Sequence, residues 1–177
     1  MKIYRIYFLI SVVVSFLLII LNLNKDTFFY IQVLIGAFLT PFVYELDYIL
    51  YAYFLDPDAK VSKFFKEGFK QKKYLQSLNY AHQHNLDFSG TVLRSILMVL
   101  AVYGLAFLIL FSNAQPIAIS MTLTFLLTTL YLQTISVFNN TYKTWYEIIE
   151  FTPSENVAKI VLFIEYLVFF IFLTKLL

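Results

Sequence analysis

Three carboxylates, Glu45, Asp47 and Glu165, interrupt stretches of the chain that are otherwise almost uniformly apolar. A charge in such a stretch is costly to bury, so these residues usually face protein or water and often carry a function: acid, base, proton carrier or metal ligand. Arg94, near the start of another apolar stretch, is the natural counter-charge. Glu45 and Asp47 are two residues apart, and side chains at that spacing on a helix point to different faces. Asp47 falls on a narrow stripe of polar or small residues, Gln32, Gly36, Thr40, Tyr44, Asp47 and Tyr51, so the spacing turns Asp47 inward and leaves Glu45 to find another partner or the interface. A second stripe, Thr122, Thr129, Gln133, Ser136 and Asn140, matches it. Two such stripes on neighbouring helices, with Gln32, Thr40, Gln133 and Asn140 as their polar anchors, form either a groove or simple helix–helix glue, in which hydroxyls bond helix carbonyls and amides tie helices together.

His82 and His84 offer a second chemistry. On an extended stretch they share a face and could ligate one metal, with Glu45, Asp47 or Asp56 completing a mixed nitrogen and oxygen set. No HExxH spacing stands behind them, and two surface histidines in a polar loop account for the same residues. The inventory excludes other chemistries. The chain has no cysteine, so disulfides, thiolate catalysis and cysteine-ligated centres are ruled out. It also has no glycine-rich phosphate loop and no Gly-x-Ser-x-Gly elbow. No cofactor is implied.

The elements that must position these residues are helices in a membrane. Only 14% of the residues are charged and the mean hydropathy is +0.76, too apolar to solvate the surface of a water-soluble domain. The 20 Phe and 14 Tyr against four Gly suit a lipid-facing, side-chain-packed bundle. The apolar runs predict an all-α, single-domain polytopic protein with five transmembrane helices, over 6–22, 28–55, 91–111, 117–138 and 157–174. The first run lacks a small-residue cleavage site and reads as a retained span. The second is long enough to tilt strongly or to bend at Pro41, and Tyr44, Tyr48, Tyr51 and Tyr53 read as an aromatic belt at its end.

Between the second and third spans, residues 57–86 read as an amphipathic helical segment. Asp56 is its N-cap, Pro57 lies in its first turn, and a break falls near Gly68. Lys60, Lys63, Lys66, Lys70, Lys72 and Lys73 alternate there with Val61, Phe64, Phe65 and Phe69. This segment either lies on the membrane surface or packs as a hairpin on the bundle. The loop over 85–90 holds cap candidates for the third span.

Placing the N-terminus in the cytoplasm puts Lys2, Arg5, the six lysines of 60–73, Arg94, Lys143 and Lys159 on one side, and only Lys25 and Lys175 on the other. The positive-inside rule therefore predicts N-in, C-out insertion in the plasma membrane. Glu45 and Asp47 then lie about 16 and 13 Å below the cytoplasmic boundary, and Glu165 about 9 Å deep, at 1.5 Å per residue. The preference for lysine, with abundant Asn, Ile and Phe, points to an AT-rich prokaryotic genome.

Three functions are compatible with this layout. The first is a non-enzymatic structural, assembly or accessory subunit whose lysine-rich segment docks to anionic lipid head groups or to a protein partner, including a second copy of the chain. The second is an enzyme of the inner leaflet acting on a lipid through Glu45, Asp47 and Glu165. The third is a small carrier or channel subunit using the polar stripes as a path. Nucleic acid is not an expected partner, because the net charge is only +2.

Overall fold

The computed structural model describes residues 2–84 and 90–176. Residues 85 and 86 of the segment predicted over 57–86, and the cap candidates within 85–89, lie outside the described residues. Among these residues helix is the chain's only regular secondary structure. Its elements are α1 (Lys2–Leu21), α2 (Thr27–Leu50) continued by a π-helical turn (Tyr51–Leu55), α3 (Lys60–Lys70), α4 (Tyr74–Gln83), α5 (Ile96–Leu110), α6 (Pro116–Phe138), a 3₁₀ helix (Tyr142–Ile149) and α7 (Glu155–Leu176).

Three helices are long and apolar enough to cross a membrane: α2 with its π turn (Thr27–Leu55), α6, and α7 (Glu155–Lys175). The chain is thus compatible with a membrane protein, while α1 and α5 carry shorter apolar runs, Arg5–Leu21 and Ile96–Ile109. The third apolar stretch, expected from 91, becomes helical only at Ile96, where the Ser95 hydroxyl oxygen accepts the Met98 amide at 3.3 Å. Residues 91–95 form turns instead, because the Leu93 amide is bonded to a side chain of α2 rather than to its own helix.

Helix α6 is the centre of the bundle, packing on α1, α2, α5 and α7. Its closest partner is α2. A Cβ placed on Gly36 would collide with the Ser120 hydroxyl and the Ile117 carbonyl, so only glycine permits this approach. One helical turn on, the Thr40 hydroxyl donates to the carbonyls of Gly36 (3.1 Å) and Met121 (3.3 Å). Tyr44 follows, stacked between Tyr7 and Phe125, with its hydroxyl 2.5 Å from that of Thr129.

Pro41 does not break α2, which stays helical from Thr27 to Leu50. Proline has no N–H, so the carbonyl four residues before it, that of Ala37, loses its helical donor. The Ser11 hydroxyl of α1 supplies one at 2.9 Å, and both residues are fully buried. The helix instead widens at Tyr51–Leu55, into the π turn.

The lysine-rich segment is a hairpin. Phe65 and Val61 of α3 and Ala81 of α4 pack on Tyr48, Tyr51 and Ala52 at the end of α2. Asp56 does not cap a helix starting at Pro57: its carboxylate accepts the Ala59 amide at 3.1 Å in a turn, and α3 begins at Lys60. The break falls at 71–73 rather than at Gly68. Lys72 there adopts φ +58°, and the Lys73 amide reaches back to the Gly68 carbonyl at 2.9 Å, a Schellman closure. Gly68 is where α4 comes closest, since a Cβ there would meet the Ser77 hydroxyl.

Gly36→Ala should therefore destabilise the purified protein by about 1–3 kcal/mol, the usual cost of overpacking. Gly104→Ala, where a Cβ meets nothing within 4 Å, should leave the detergent melting temperature unchanged or raise it. Equal melting temperatures for the two variants would contradict the close α2–α6 crossing.

Candidate functional site: a buried charge network at the lysine-rich end

The last turns of α2 carry Tyr44, Glu45, Asp47 and Tyr48, and all four are buried. Glu45 and Asp47 do point to different faces, as two-residue spacing requires, yet both faces are covered. On one side lies α4; on the other lie residues 91–95, leading into α5. Glu45 Oε1 is 2.9 Å from His82 Nε2, and the two side chains are 9% and 8% exposed. Asp47, fully buried, accepts the Leu93 amide at 2.9 Å through Oδ1, while Oδ2 faces Arg94 Nε at 3.9 Å, a charge contact longer than a hydrogen bond.

Tyr48 joins the two halves. Its hydroxyl receives a bond from Arg94 Nη1 at 2.6 Å and lies 3.3 Å from His82 Nδ1. The Arg94 guanidinium also sits over the Tyr48 ring, 4.5 Å from its centroid, a cation–π contact. Glu45, His82, Tyr48, Arg94 and Asp47 thus form one chain of contacts linking α2, α4 and the approach to α5. Arginine cannot deprotonate in this setting, so the network holds a permanent positive charge beside two carboxylates.

The aromatic-belt reading of the tyrosines is overturned here. Tyr44 and Tyr48 are fully buried and Tyr51 is 6% exposed; only Tyr53, at 43%, faces outward. The hairpin covers this end of α2, and α6 covers Tyr44, so the phenols find partners inside the protein rather than at the head groups.

Glu165 takes separate partners. Its Oε1 accepts Gln133 Nε2 at 3.3 Å, and its backbone carbonyl accepts the Tyr103 hydroxyl at 2.8 Å. The two polar stripes touch directly along Gly36, Thr40 and Tyr44, where hydroxyls bond carbonyls across the α2–α6 seam. Gln133 leaves that seam for α7. Gln32 is half-buried, and Asn140 is exposed with φ +56°, closing α6 as its left-handed C-terminal residue while the Thr141 amide bonds the Ser136 carbonyl at 2.8 Å.

The histidines do not share a face toward one ion. His82 is taken up by Glu45 and Tyr48, whereas His84 Nδ1 lies 3.0 Å from the Tyr80 carbonyl and its ring stacks on Tyr80. Among the described residues no group of three His, Asp or Glu side chains is placed to hold a metal ion. Beside the network, a cavity of about 230 Å³ opens between the start of α5, the end of α6 and the 3₁₀ helix. Arg94, Thr91, Ser136, Asn139, Thr144 and Trp145 line it.

Tyr48 and the docking of α4 were not legible as parts of this site. Tyrosine at a helix end fits a membrane belt equally well, and no local pattern reports which tertiary element covers it. The spacing of Glu45, Tyr48 and Asp47 against a following His82 is the nearest signal, and it specifies no contact.

Comparison with protein-family models, curated proteins and solved structures returned no significant match.

Removing one member of a buried charge pair strands the other, at a typical cost of about 3–5 kcal/mol. Asp47→Asn should therefore lower thermal stability in detergent strongly, and Tyr48→Phe by about 1–3 kcal/mol through the unmade hydrogen bonds. Lys70→Gln, on the exposed face of the hairpin, should have little effect. Limited proteolysis should also cut within 56–84 faster in Tyr48→Phe than in the parent chain. Equal stability and equal cleavage in all three variants would show that the network does not hold the hairpin.

Proposed function

We propose that the chain is a multi-pass protein of the plasma membrane, with five spans, N-terminus in the cytoplasm and C-terminus outside, acting as a non-enzymatic structural, assembly or accessory subunit. The observation that carries this reading is the use made of the ionisable groups at the end of α2. Each contacts a residue of another element: Glu45 and Tyr48 hold His82 of the lysine-rich hairpin, while Asp47 and Tyr48 hold Leu93 and Arg94 ahead of α5. A catalytic or transport carboxylate has to meet a substrate, whereas Glu45 and Asp47 are buried, each with one oxygen bonded to a neighbouring element.

The five-span reading is supported by α1 and α5 as well as by the three longer helices. Both pack on α6, and both turn large apolar side chains outward: Leu9 and Phe16 on α1, Leu100, Phe107 and Leu108 on α5. Outward apolar faces on every helix of a bundle suit a lipid surround.

The hairpin supports docking to anionic lipid or to an acidic protein surface. Phe54 and Leu75 are 76% exposed and Phe64 53%, interleaved with the lysines of α3 and the α3–α4 turn. That mixture fits the head-group boundary, where apolar rings enter the acyl edge and lysines meet phosphate. An inner-leaflet enzyme is the second reading, favoured by the cavity against Arg94, whose cation and hydroxyl lining suit a lipid head group.

Because the chain has no cysteine, each engineered cysteine is a unique label. In intact cells an impermeant maleimide should modify Lys25→Cys, and should reach Lys70→Cys only after permeabilisation; the reverse pattern would invert the orientation. Native electrophoresis in mild detergent, at the natural expression level, should find the chain in an assembly larger than its own micelle-bound monomer. Migration as monomer alone would remove the accessory-subunit reading and favour the enzyme.

A further inference from the structure

Glu165 lies within the apolar helix α7, 7% exposed, against a Gln133 that is 6% exposed. Gln133 Nε2 donates to Glu165 Oε1, the one hydrogen bond between them. Glu165 Oε2 and Gln133 Oε1 are both buried with no hydrogen-bond partner. Two unmatched acceptors thus sit on the two groups already joined by that bond. A carboxylic acid and a primary amide can close a ring of two hydrogen bonds, N–H to carbonyl on one edge and acid O–H to amide oxygen on the other. The first edge is in place, and a hydrogen on Oε2 would supply the kind of donor that the Gln133 oxygen lacks.

The surroundings favour the uncharged acid. The titratable groups around Glu165 are phenols rather than cations: Tyr103 from α5, which bonds its backbone carbonyl, Tyr146 from the 3₁₀ helix, and Tyr166 on α7 itself, whose hydroxyl is 2.9 Å from that of Thr134. Burial pushes the Tyr146 phenol up to about 12, so it too is neutral at physiological pH. Lys159, one and a half turns earlier, is paired with Glu155 at 2.5 Å. A carboxylate with one amide donor in this setting has little to replace its lost hydration.

We propose that Glu165 and Gln133 form a proton-binding site between α6 and α7, in which the Glu165 carboxyl carries one proton and donates it in a hydrogen bond to the Gln133 amide oxygen. The ligand is a single proton. Its loss leaves three buried acceptor oxygens facing one donor and loosens the α6–α7 contact. A cavity of about 10 Å³ beside Gln133, walled by Tyr142, Trp145 and Tyr146, has room for about one water.

Infrared spectroscopy of the full chain in lipid at neutral pH tests this directly. An un-ionised carboxylic acid gives a carbonyl stretch separate from amide and carboxylate bands, and that band should be present, shift in deuterated water, and vanish in Glu165→Gln while persisting in Glu45→Gln. Should Glu165→Gln fail to insert, the parent chain grown with ¹³C-glutamate should show the band displaced, and Glu45→Gln carrying the same label should retain the displaced band. Absence of the band, its survival in Glu165→Gln, or its loss in Glu45→Gln would overturn the proposal, leaving a carboxylate satisfied by water.

Discussion

The Asp47 carboxylate, fully buried and bonded to the Leu93 amide, decides how one whole end of the bundle is built. By taking that amide it holds residues 91–95 out of helical form, and α5 starts five residues later than its apolar run. The same segment then presents Arg94 to Tyr48, and Tyr48 meets His82 of the hairpin. A single acceptor on α2 thus sets the start of α5, the place of a guanidinium and, through one phenol, the seat of α4.

Such a network is weak as a source of stability and strong as a source of uniqueness. Desolvating two carboxylates and a guanidinium offsets much of their attraction, and well-packed apolar residues would hold as firmly. Apolar packing alone, however, carries no directional constraint on how α3 and α4 seat on the end of α2. The hydrogen bonds to Tyr48 and the Glu45–His82 contact have directions, and they admit one register. Lys63 faces Asp58 at 3.6 Å, with both side chains mostly exposed, and such pairs add little to stability.

What could be read from residue order followed local physics. The all-helical class, the long second apolar stretch and the inward face of Asp47 come from periodicity and hydropathy, which act within one element. The stripe of Gly36, Thr40 and Tyr44 likewise marked the face that packs on α6. Features that depend on which elements meet were not legible: the burial of Tyr48, the partner of Glu45, and the seat of the α3–α4 hairpin on the end of α2. Helix starts shifted for a similar reason. Asp56 and Pro57 have the chemistry of a helix start, but the Asp56 carboxylate is used in a turn, and Lys72 rather than Gly68 takes the left-handed position that ends α3. Asn140 read as the end of a polar stripe, and its left-handed backbone makes it the end of α6 instead.

The hydroxyl of Ser11 on the Ala37 carbonyl has a bearing on biogenesis. With Pro41 in place, α2 alone would enter hydrocarbon carrying an exposed carbonyl, and the donor that covers it sits on the preceding helix, across a connection of only a few residues. Under the proposed five-span arrangement, the requirement then runs one way: α2 gains from having α1 beside it in lipid, whereas Ser11 already has the Tyr7 carbonyl of its own helix within reach.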